Sequence, residues 1–86
     1  KDAVHAFRRA IALRPDMAIA HYNLGNALRL LGLNREAVDS YLLALKYAPG
    51  HVDAHNNLGE VQQALGKPDL AIASYRRALS LQPGHP

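Results

Sequence analysis

The sequence matches itself when it is shifted by 34 residues, and this internal repeat restricts the possible folds more than any other feature. In the first half of each copy, the identical residues are Ala20, His21, Asn23, Leu24, Gly25, Leu31 and Gly32, which align with Ala54, His55, Asn57, Leu58, Gly59, Leu65 and Gly66. In the second half they are Ala37, Ser40, Tyr41, Ala44, Leu45, Pro49, Gly50 and His51, which align with Ala71, Ser74, Tyr75, Ala78, Leu79, Pro83, Gly84 and His85. The chain therefore divides into a half repeat (1–17) and two whole repeats (18–51 and 52–85).

Each whole repeat carries two helical patterns. Apolar residues recur at the spacing of one helix face, first at Ala20, Leu24, Ala27, Leu28 and Leu31, and then at Ala37, Val38, Tyr41, Ala44 and Leu45. The strict alternation that would indicate a strand does not persist anywhere in the sequence. These patterns predict an all-α fold of about five helices, near residues 2–14, 18–31, 35–47, 52–65 and 69–81.

Turn-forming residues separate these helical segments. Gly32 and Gly66 follow the apolar faces, where a glycine in the left-handed conformation ends a helix at low cost. Asn34 is predicted to cap the start of the next helix, and Pro68 suits a first helical turn. Prolines are predicted to stop the second helix of each repeat, at Pro15, Pro49 and Pro83.

Glycine also recurs in the middle of the first helix, at Gly25 and Gly59. Because glycine inside a helix costs about 1 kcal/mol relative to alanine, its repeated use there indicates a close helix crossing. We expect Tyr41 and Tyr75, on the second helices, to fill the adjacent space. The sequence therefore predicts a stack of antiparallel helix pairs in which each pair covers its neighbour.

The spaced pattern His21-x2-Leu24-Gly25-x2-Leu28, followed by Ala37-x3-Tyr41, Ala44 and Pro49, resembles the tetratricopeptide repeat, and its copy from His55 to Pro83 does so as well. Two positions depart from the family pattern. His21 and His55 stand where the family favours tryptophan or another large residue, and Gln62 stands where it favours tyrosine. The resemblance covers nearly the whole chain and implies a right-handed solenoid formed by residues 1–86 as a single unit.

In the family that this chain resembles, the first helices line a concave groove that binds peptides or proteins. The resemblance places in this groove Ile19, Tyr22, Asn23, Asn26, Arg29 and Leu30 from the first whole repeat, and Asp53, Asn56, Asn57, Glu60, Gln63 and Ala64 from the second. The row is polar but mostly uncharged, which suits hydrogen bonding to an extended peptide backbone. The implied function is a non-catalytic scaffold whose partner is an extended peptide or protein segment.

Two asparagines indicate a more specific mode of peptide binding. The segment Tyr22-Asn23-Leu24-Gly25-Asn26 and its copy Asn56-Asn57-Leu58-Gly59-Glu60 resemble repeats of O-linked N-acetylglucosamine transferase, in which a ladder of asparagines holds substrate peptides by their main chain. The resemblance implies a substrate-recruiting region of a glycosyltransferase-like parent, with Asn23 and Asn57 pointing into the groove with free hydrogen-bonding groups. The alternatives are that these asparagines bridge helices or hold water, and that the segment is a self-associating spacer in a longer solenoid.

Residue types that carry catalysis are missing or badly spaced. The sequence has no cysteine, no glycine-rich phosphate loop and no serine at a strand–turn–helix elbow. His51 and His55 are four residues apart, but the segment lacks the glutamate of the zinc-protease motif and a third ligand. We therefore predict neither an enzyme nor a metal or cofactor site, and a packing role for the histidines.

The charge and the ends of the chain complete the prediction. The net charge is +3, and the arginine pairs Arg8-Arg9 and Arg76-Arg77 suit either a solvated surface or an anionic partner on the convex face, without the interleaved aromatic residues of nucleic-acid binders. No apolar run is long enough to span a membrane, and no signal-peptide pattern opens the chain. Since residue 1 is lysine, we expect a piece of a longer protein. We also expect a cytoplasmic location, and association of the uncapped ends head to tail or as a swapped dimer.

Overall fold

The computed structural model describes residues 2–82, which form five α-helices: α1 (Asp2–Leu13), α2 (Ala18–Leu30), α3 (Asn34–Tyr47), α4 (Val52–Ala64) and α5 (Pro68–Ser80). Every predicted helix is confirmed, and each boundary lies within one residue of its predicted position. Pro83, the predicted stop of the last helix, lies outside the described residues. Helices α2 and α3 form one antiparallel pair, α4 and α5 form the next, and α1 packs against α2.

Glycine ends both first helices in the predicted way. Gly32 and Gly66 have φ values of 77° and 75°, in the left-handed region that only glycine adopts at low cost. Beside Gly32, the backbone amide of Leu33 donates to the carbonyl oxygen of Leu28 at 2.9 Å, which is the outer hydrogen bond of a Schellman motif. This tight ending reverses the chain within a few residues and so fixes the antiparallel pairing.

The predicted cap of α3 is wrong by one residue. Leu33 occupies the N-cap position, and Asn34 is already the first helical residue, with no side-chain hydrogen bond at the cap. The Schellman motif holds Leu33 close to the end of α2, so the chain enters α3 before the asparagine can cap it. Pro68 is the first residue of α5, as predicted.

The two helices of each pair cross where the glycines were expected to permit it. A β-carbon built on Gly25 would lie 2.7 Å from Cε1 of Tyr41, and one built on Gly59 would lie 2.8 Å from Cε1 of Tyr75. Both distances are far below van der Waals contact, so only glycine admits the tyrosine ring. Tyr41 is completely buried, and its ring fills the crossing between α2 and α3.

The core runs through the stack of helices. Its buried cluster consists of Leu24, Leu28, Ala37, Tyr41, Leu58 and Val61, drawn from α2, α3 and α4. Helix α1 contributes partly buried Val4, Phe7 and Ile11 to the edge of this cluster but has no fully buried residue. Across the described range, every helix is too short or too polar to span a lipid bilayer.

Histidine joins successive helices at two equivalent positions. The Nε2 of His21 donates to the carbonyl oxygen of Pro15 at 2.8 Å, and that of His55 donates to the carbonyl oxygen of Pro49 at 2.9 Å. The buried ring of His21 also stacks on Tyr47, with 5.8 Å between ring centroids. Each imidazole therefore ties the start of a first helix to the turn before it, and the predicted packing role is confirmed.

Candidate functional site

A hydrogen-bonded cluster crosses the boundary between the two whole repeats, where α2 and α4 lie side by side. The amide nitrogen of Asn57 donates to Oδ1 of Asn26 at 2.9 Å and to the hydroxyl oxygen of Tyr22 at 3.2 Å. All three residues belong to the predicted groove, and all three are half-buried. We call Tyr22, Asn26, Asn57 and the Tyr41 hydroxyl, described next, the amide cluster.

Tyr41 joins the amide cluster from the neighbouring helix α3. Its hydroxyl group donates to Oδ1 of Asn26, although the residue belongs to α3. The ring reaches this position by passing beside Gly25. The sequence pattern predicts only a space-filling role for Tyr41. The signal that could have revealed its role is the hydroxyl itself, because the aligned position in the opening half repeat is Phe7.

The environment of Tyr41 affects its ionisation. Burial raises the pKa of the phenol above its ordinary value of 10.0, because a phenolate would lose its hydration inside the protein. The positive charge of Arg29 opposes part of this rise in pKa, because it favours the phenolate. Tyr41 therefore stays a neutral hydrogen-bond donor at physiological pH.

An ion pair runs parallel to the amide cluster. Nη1 of Arg29 lies 2.9 Å from Oε1 of Glu60, linking α2 to α4 across the repeat boundary. The side chains are 33% and 52% exposed, so solvent screens the pair and its net stabilisation is about 1 kcal/mol or less. The main effect of the ion pair is to fix the positions of these two charged groove residues relative to each other.

The remaining predicted groove residues are mostly exposed. Ile19 and Leu30, at the two ends of α2, are 51% and 81% exposed. Asp53, Gln63 and Ala64 are exposed on α4, while Asn23 and Asn56 are half-buried. Gln63 accepts a long hydrogen bond of 3.4 Å from the hydroxyl group of Tyr75. As at Tyr41, a tyrosine of the second helix donates to an amide side chain of the first helix, but here the bond is longer.

Asn57 does not match the expectation of wholly free hydrogen-bonding groups. Its amide nitrogen is already used within the amide cluster, and only its carbonyl oxygen has no partner among the described residues. Asn23, at the same place in the preceding repeat, forms no side-chain hydrogen bond within residues 2–82. The contacts of Asn57 depend on a neighbouring first helix, which the chain provides for α4 but not for α2.

His51 is a neighbour of the groove that sequence analysis did not assign to it. It occupies the N-cap of α4, where its Nδ1 accepts the backbone N–H of Ala54 at 3.2 Å. Its ring also packs on Tyr22, with 4.4 Å between centroids. His51 therefore caps α4, whereas His55 joins α4 to the turn before it. Within residues 2–82, no three histidine, cysteine, aspartate or glutamate side chains are grouped as metal ligands would be.

Family comparison agrees with the geometry of the helix pairs. One tetratricopeptide-repeat model matches residues 1–46, which is more than half of the chain, and a second matches residues 52–85. The chain belongs to the tetratricopeptide-repeat family. Repeats of this family generally mediate binding to peptides or proteins.

Solved structures show the same fold. A crystal structure of MamA superimposes with a TM-score of 0.89 at 29% identity, over 92% of this chain and 46% of MamA. YrrB, described as a tetratricopeptide-repeat protein with an unusual peptide-binding site, superimposes with a TM-score of 0.85 at 26% identity, over 92% of this chain and 41% of YrrB. The chain thus spans less than half the length of these two proteins. A search of curated protein sequences gave no match.

Proposed function

We propose that this chain is a non-catalytic scaffold that binds an extended polypeptide along the groove formed by α2 and α4. The observation that carries the proposal is the amide cluster, in which Asn26 and Asn57 bond to each other across the repeat boundary at 2.9 Å. Side chains that are already ordered lose little conformational entropy when a ligand binds, so their hydrogen bonds contribute more of their strength to affinity. The exposed apolar side chains of Ile19 and Leu30 add contact area beside the polar row.

Substitution of a groove asparagine tests this proposal. A peptide selected from a random-sequence display library for binding to the whole chain serves as the probe. Asn57→Ala should weaken its binding about five- to tenfold, because one hydrogen bond contributes on the order of 1 kcal/mol. Asn34→Ala is the matched control, since Asn34 begins α3 outside the groove and makes no cap hydrogen bond. Failure to select any peptide, or equal losses in the two variants, would contradict the proposal.

A narrower proposal concerns the parent protein. The placement of Asn23 and Asn57 one residue before each Leu-Gly pair supports a groove that recruits substrate peptides for a glycosyltransferase-like catalytic domain elsewhere in the parent. The adjoining sequence of the parent tests this. A nucleotide-sugar-binding domain there would support the proposal, and a parent made only of repeats would contradict it.

Self-association is a second candidate function, and the exposure of α5 favours it. Ile72 and Leu79 are 48% and 64% exposed. A second copy of the chain stacked on α5 would cover these side chains, as α4 covers α3. Such a spacer would extend a solenoid and would not need a peptide ligand in the groove.

A further inference from the structure

Gln62 places a buried amide on α4 where the preceding repeat has Leu28. The residue is 8% exposed, and its Oε1 accepts a hydrogen bond of 2.7 Å from the hydroxyl group of Ser74. The aligned serine of the preceding repeat, Ser40, is 5% exposed and has no side-chain hydrogen bond within residues 2–82. Since the fold accepts a buried serine without an amide partner, the bond to Ser74 does not by itself account for Gln62.

The amide nitrogen of Gln62 is open to a ligand. With Oε1 bonded to Ser74, Nε2 keeps two N–H donors, and neither has a partner among the described residues. In that part of the chain, the side-chain polar atoms that are both closed to solvent and unpartnered are Nδ1 of His21 and Nε of Arg29. Nε2 of Gln62 is therefore reached by solvent, although more than nine-tenths of the residue is buried. Gln62 lines a cavity of about 430 Å³ between α3 and α5, which we call the α3–α5 cavity.

The other residues of the α3–α5 cavity combine positive charge with apolar surface. Arg35 and Lys67 line it with exposed side chains, and neither belongs to the two ion pairs found within residues 2–82. Asp39 also lines the cavity, so the three charged residues together leave one positive charge. The aliphatic side chains of the lining are Val38, Leu65 and Leu70.

The equivalent cavity one repeat earlier, between α1 and α3, provides an internal comparison. Its lining includes Arg8 and Glu36, which pair with each other at 3.5 Å. Three aligned positions change between that cavity and the α3–α5 cavity: Leu28 becomes Gln62, Leu33 becomes Lys67, and Glu36 becomes Leu70. These changes add an amide donor and a positive charge, and they remove an acid.

We propose that the α3–α5 cavity binds a free aliphatic carboxylate. The carboxylate accepts a hydrogen bond from Nε2 of Gln62 and is attracted by Arg35 and Lys67, while its alkyl chain contacts the aliphatic lining. One net positive charge matches the single negative charge of such a ligand. None of the lining residues belongs to the predicted peptide groove, so this site is independent of the proposed scaffold function.

Titration with hexanoate, followed by nuclear magnetic resonance, tests the proposal. The side-chain NH₂ signals of Gln62 should shift and saturate, because its amide contacts the ligand. Acetate has a much shorter alkyl chain and should bind at least about tenfold more weakly. Hexan-1-ol keeps the chain but lacks the charge and should also bind about tenfold more weakly. Equal affinities for hexan-1-ol and hexanoate, or no shift of the Gln62 signals, would overturn the proposal.

Gln62→Leu recreates the arrangement that the preceding repeat has at Leu28, so this variant should fold. Its affinity for hexanoate should fall about tenfold, whereas its affinity for hexan-1-ol should not fall. The backbone amide signals of Leu65 and Leu70 replace the missing side-chain signals as reporters. An equal loss for both ligands would mean that the substitution only changes the shape of the cavity, which would overturn the role of the amide.

Charge substitutions at exposed positions test the same site without disturbing the core. Lys67→Gln should weaken hexanoate binding about two- to fivefold, and Asp39→Asn should strengthen it by a similar factor. Arg9→Gln is the matched control, because it removes the same charge from an exposed residue of α1 that does not line the cavity. Equal losses in Lys67→Gln and Arg9→Gln would reduce the effect to general attraction by the net charge and would overturn the site.

A final comparison distinguishes a free acid from an acidic side chain of a partner protein. The α-amide of N-acetylglutamate carries the carboxylate of a protein side chain on a short alkyl stem. It should bind more weakly than hexanoate, because it covers less of the aliphatic lining. Tighter binding of the glutamate derivative would overturn the assignment to a free acid.

Discussion

The ring of Tyr41 occupies the space that a side chain at Gly25 would need. The closest approach of a built β-carbon is 2.7 Å, and two more ring atoms lie at 2.8 and 3.1 Å. The gap left by this glycine lets a residue of α3 deliver a hydroxyl group to the groove side of α2. One glycine thus serves both the packing of the helix pair and the arrangement of the candidate site.

Gly25→Ala should destabilise the fold by about 1–3 kcal/mol, because the buried Tyr41 ring has no room to move away from the new methyl group. The higher helix propensity of alanine offsets about 1 kcal/mol of this loss. Gly50→Ala is the control, since a β-carbon there meets nothing within 4 Å and Gly50 does not have a positive φ. Denaturant unfolding of both variants provides the measurement. Equal midpoints for Gly25→Ala and the unsubstituted chain would contradict the packing argument.

Gly32→Ala should also destabilise the chain, by about 1 kcal/mol, but for a conformational reason. Gly32 has a φ of 77°, which an L-residue with a side chain adopts only at a cost, while no atom lies within 4 Å of a built β-carbon. A D-alanine at the same position, introduced by chemical synthesis, adopts positive φ readily and should restore or exceed the original stability. If D-alanine and L-alanine have the same melting temperature, the loss has another cause.

Stability should fall at alkaline pH partly through Tyr41. Its folded-state pKa is raised above 10.0 by burial, so both folded and unfolded chains keep the proton below pH 10.0. Above that pH the unfolded chain loses its proton first, and the free energy of unfolding therefore decreases as pH rises through the folded-state pKa. Tyr41→Phe should remove this part of the alkaline loss. Tyr47→Phe, at a residue 40% exposed, should keep it.

The ultraviolet absorbance of phenolate provides an independent reading of the same effect. In the folded chain, Tyr41 should ionise at a pH above the ordinary pKa of tyrosine, and that late step should disappear in Tyr41→Phe. A late step that remains in this variant would assign the raised pKa to another tyrosine.

The fold could be predicted from the sequence because a glycine or proline follows the end of each of the first four helices, at Pro15, Gly32, Pro49 and Gly66. The apolar faces gave the five helices, and Gly25 with Tyr41 gave the close crossing. The N-cap at Leu33 could not be predicted, since it depends on how the Schellman motif directs the chain into α3. The apolar pattern of a helix does not contain the geometry of that turn.

The candidate site was predicted less completely than the fold. Membership of the groove follows from the resemblance, but the partners of Asn57 do not, because Asn26 and Tyr22 are 31 and 35 residues away and meet it only through the register between α2 and α4. A helical period places a residue on a face of its own helix. It does not say which side chain of the next helix lies opposite, or which way an amide is turned.

The final prediction concerns association through α5. In α3, Val38 and Leu45 pack against the buried core. Their aligned counterparts 34 residues later, Ile72 and Leu79, are 48% and 64% exposed, because nothing within residues 2–82 covers that face of α5 as α4 covers α3. Stacking against another copy would bury apolar area on this face.

The expected association is weak. Burial of about 300 Å² of apolar surface is worth about 7.5 kcal/mol at roughly 25 cal/mol/Å². This is comparable to the 4–15 kcal/mol that association costs in lost translational and rotational freedom, so dimers or short head-to-tail chains should form only towards millimolar concentration. Sedimentation velocity over a concentration series measures the effect. Ile72→Glu should abolish the association, whereas Leu30→Glu, at an 81% exposed groove position away from α5, should not. An association that survives Ile72→Glu and is lost in Leu30→Glu would move the contact from α5 to the groove.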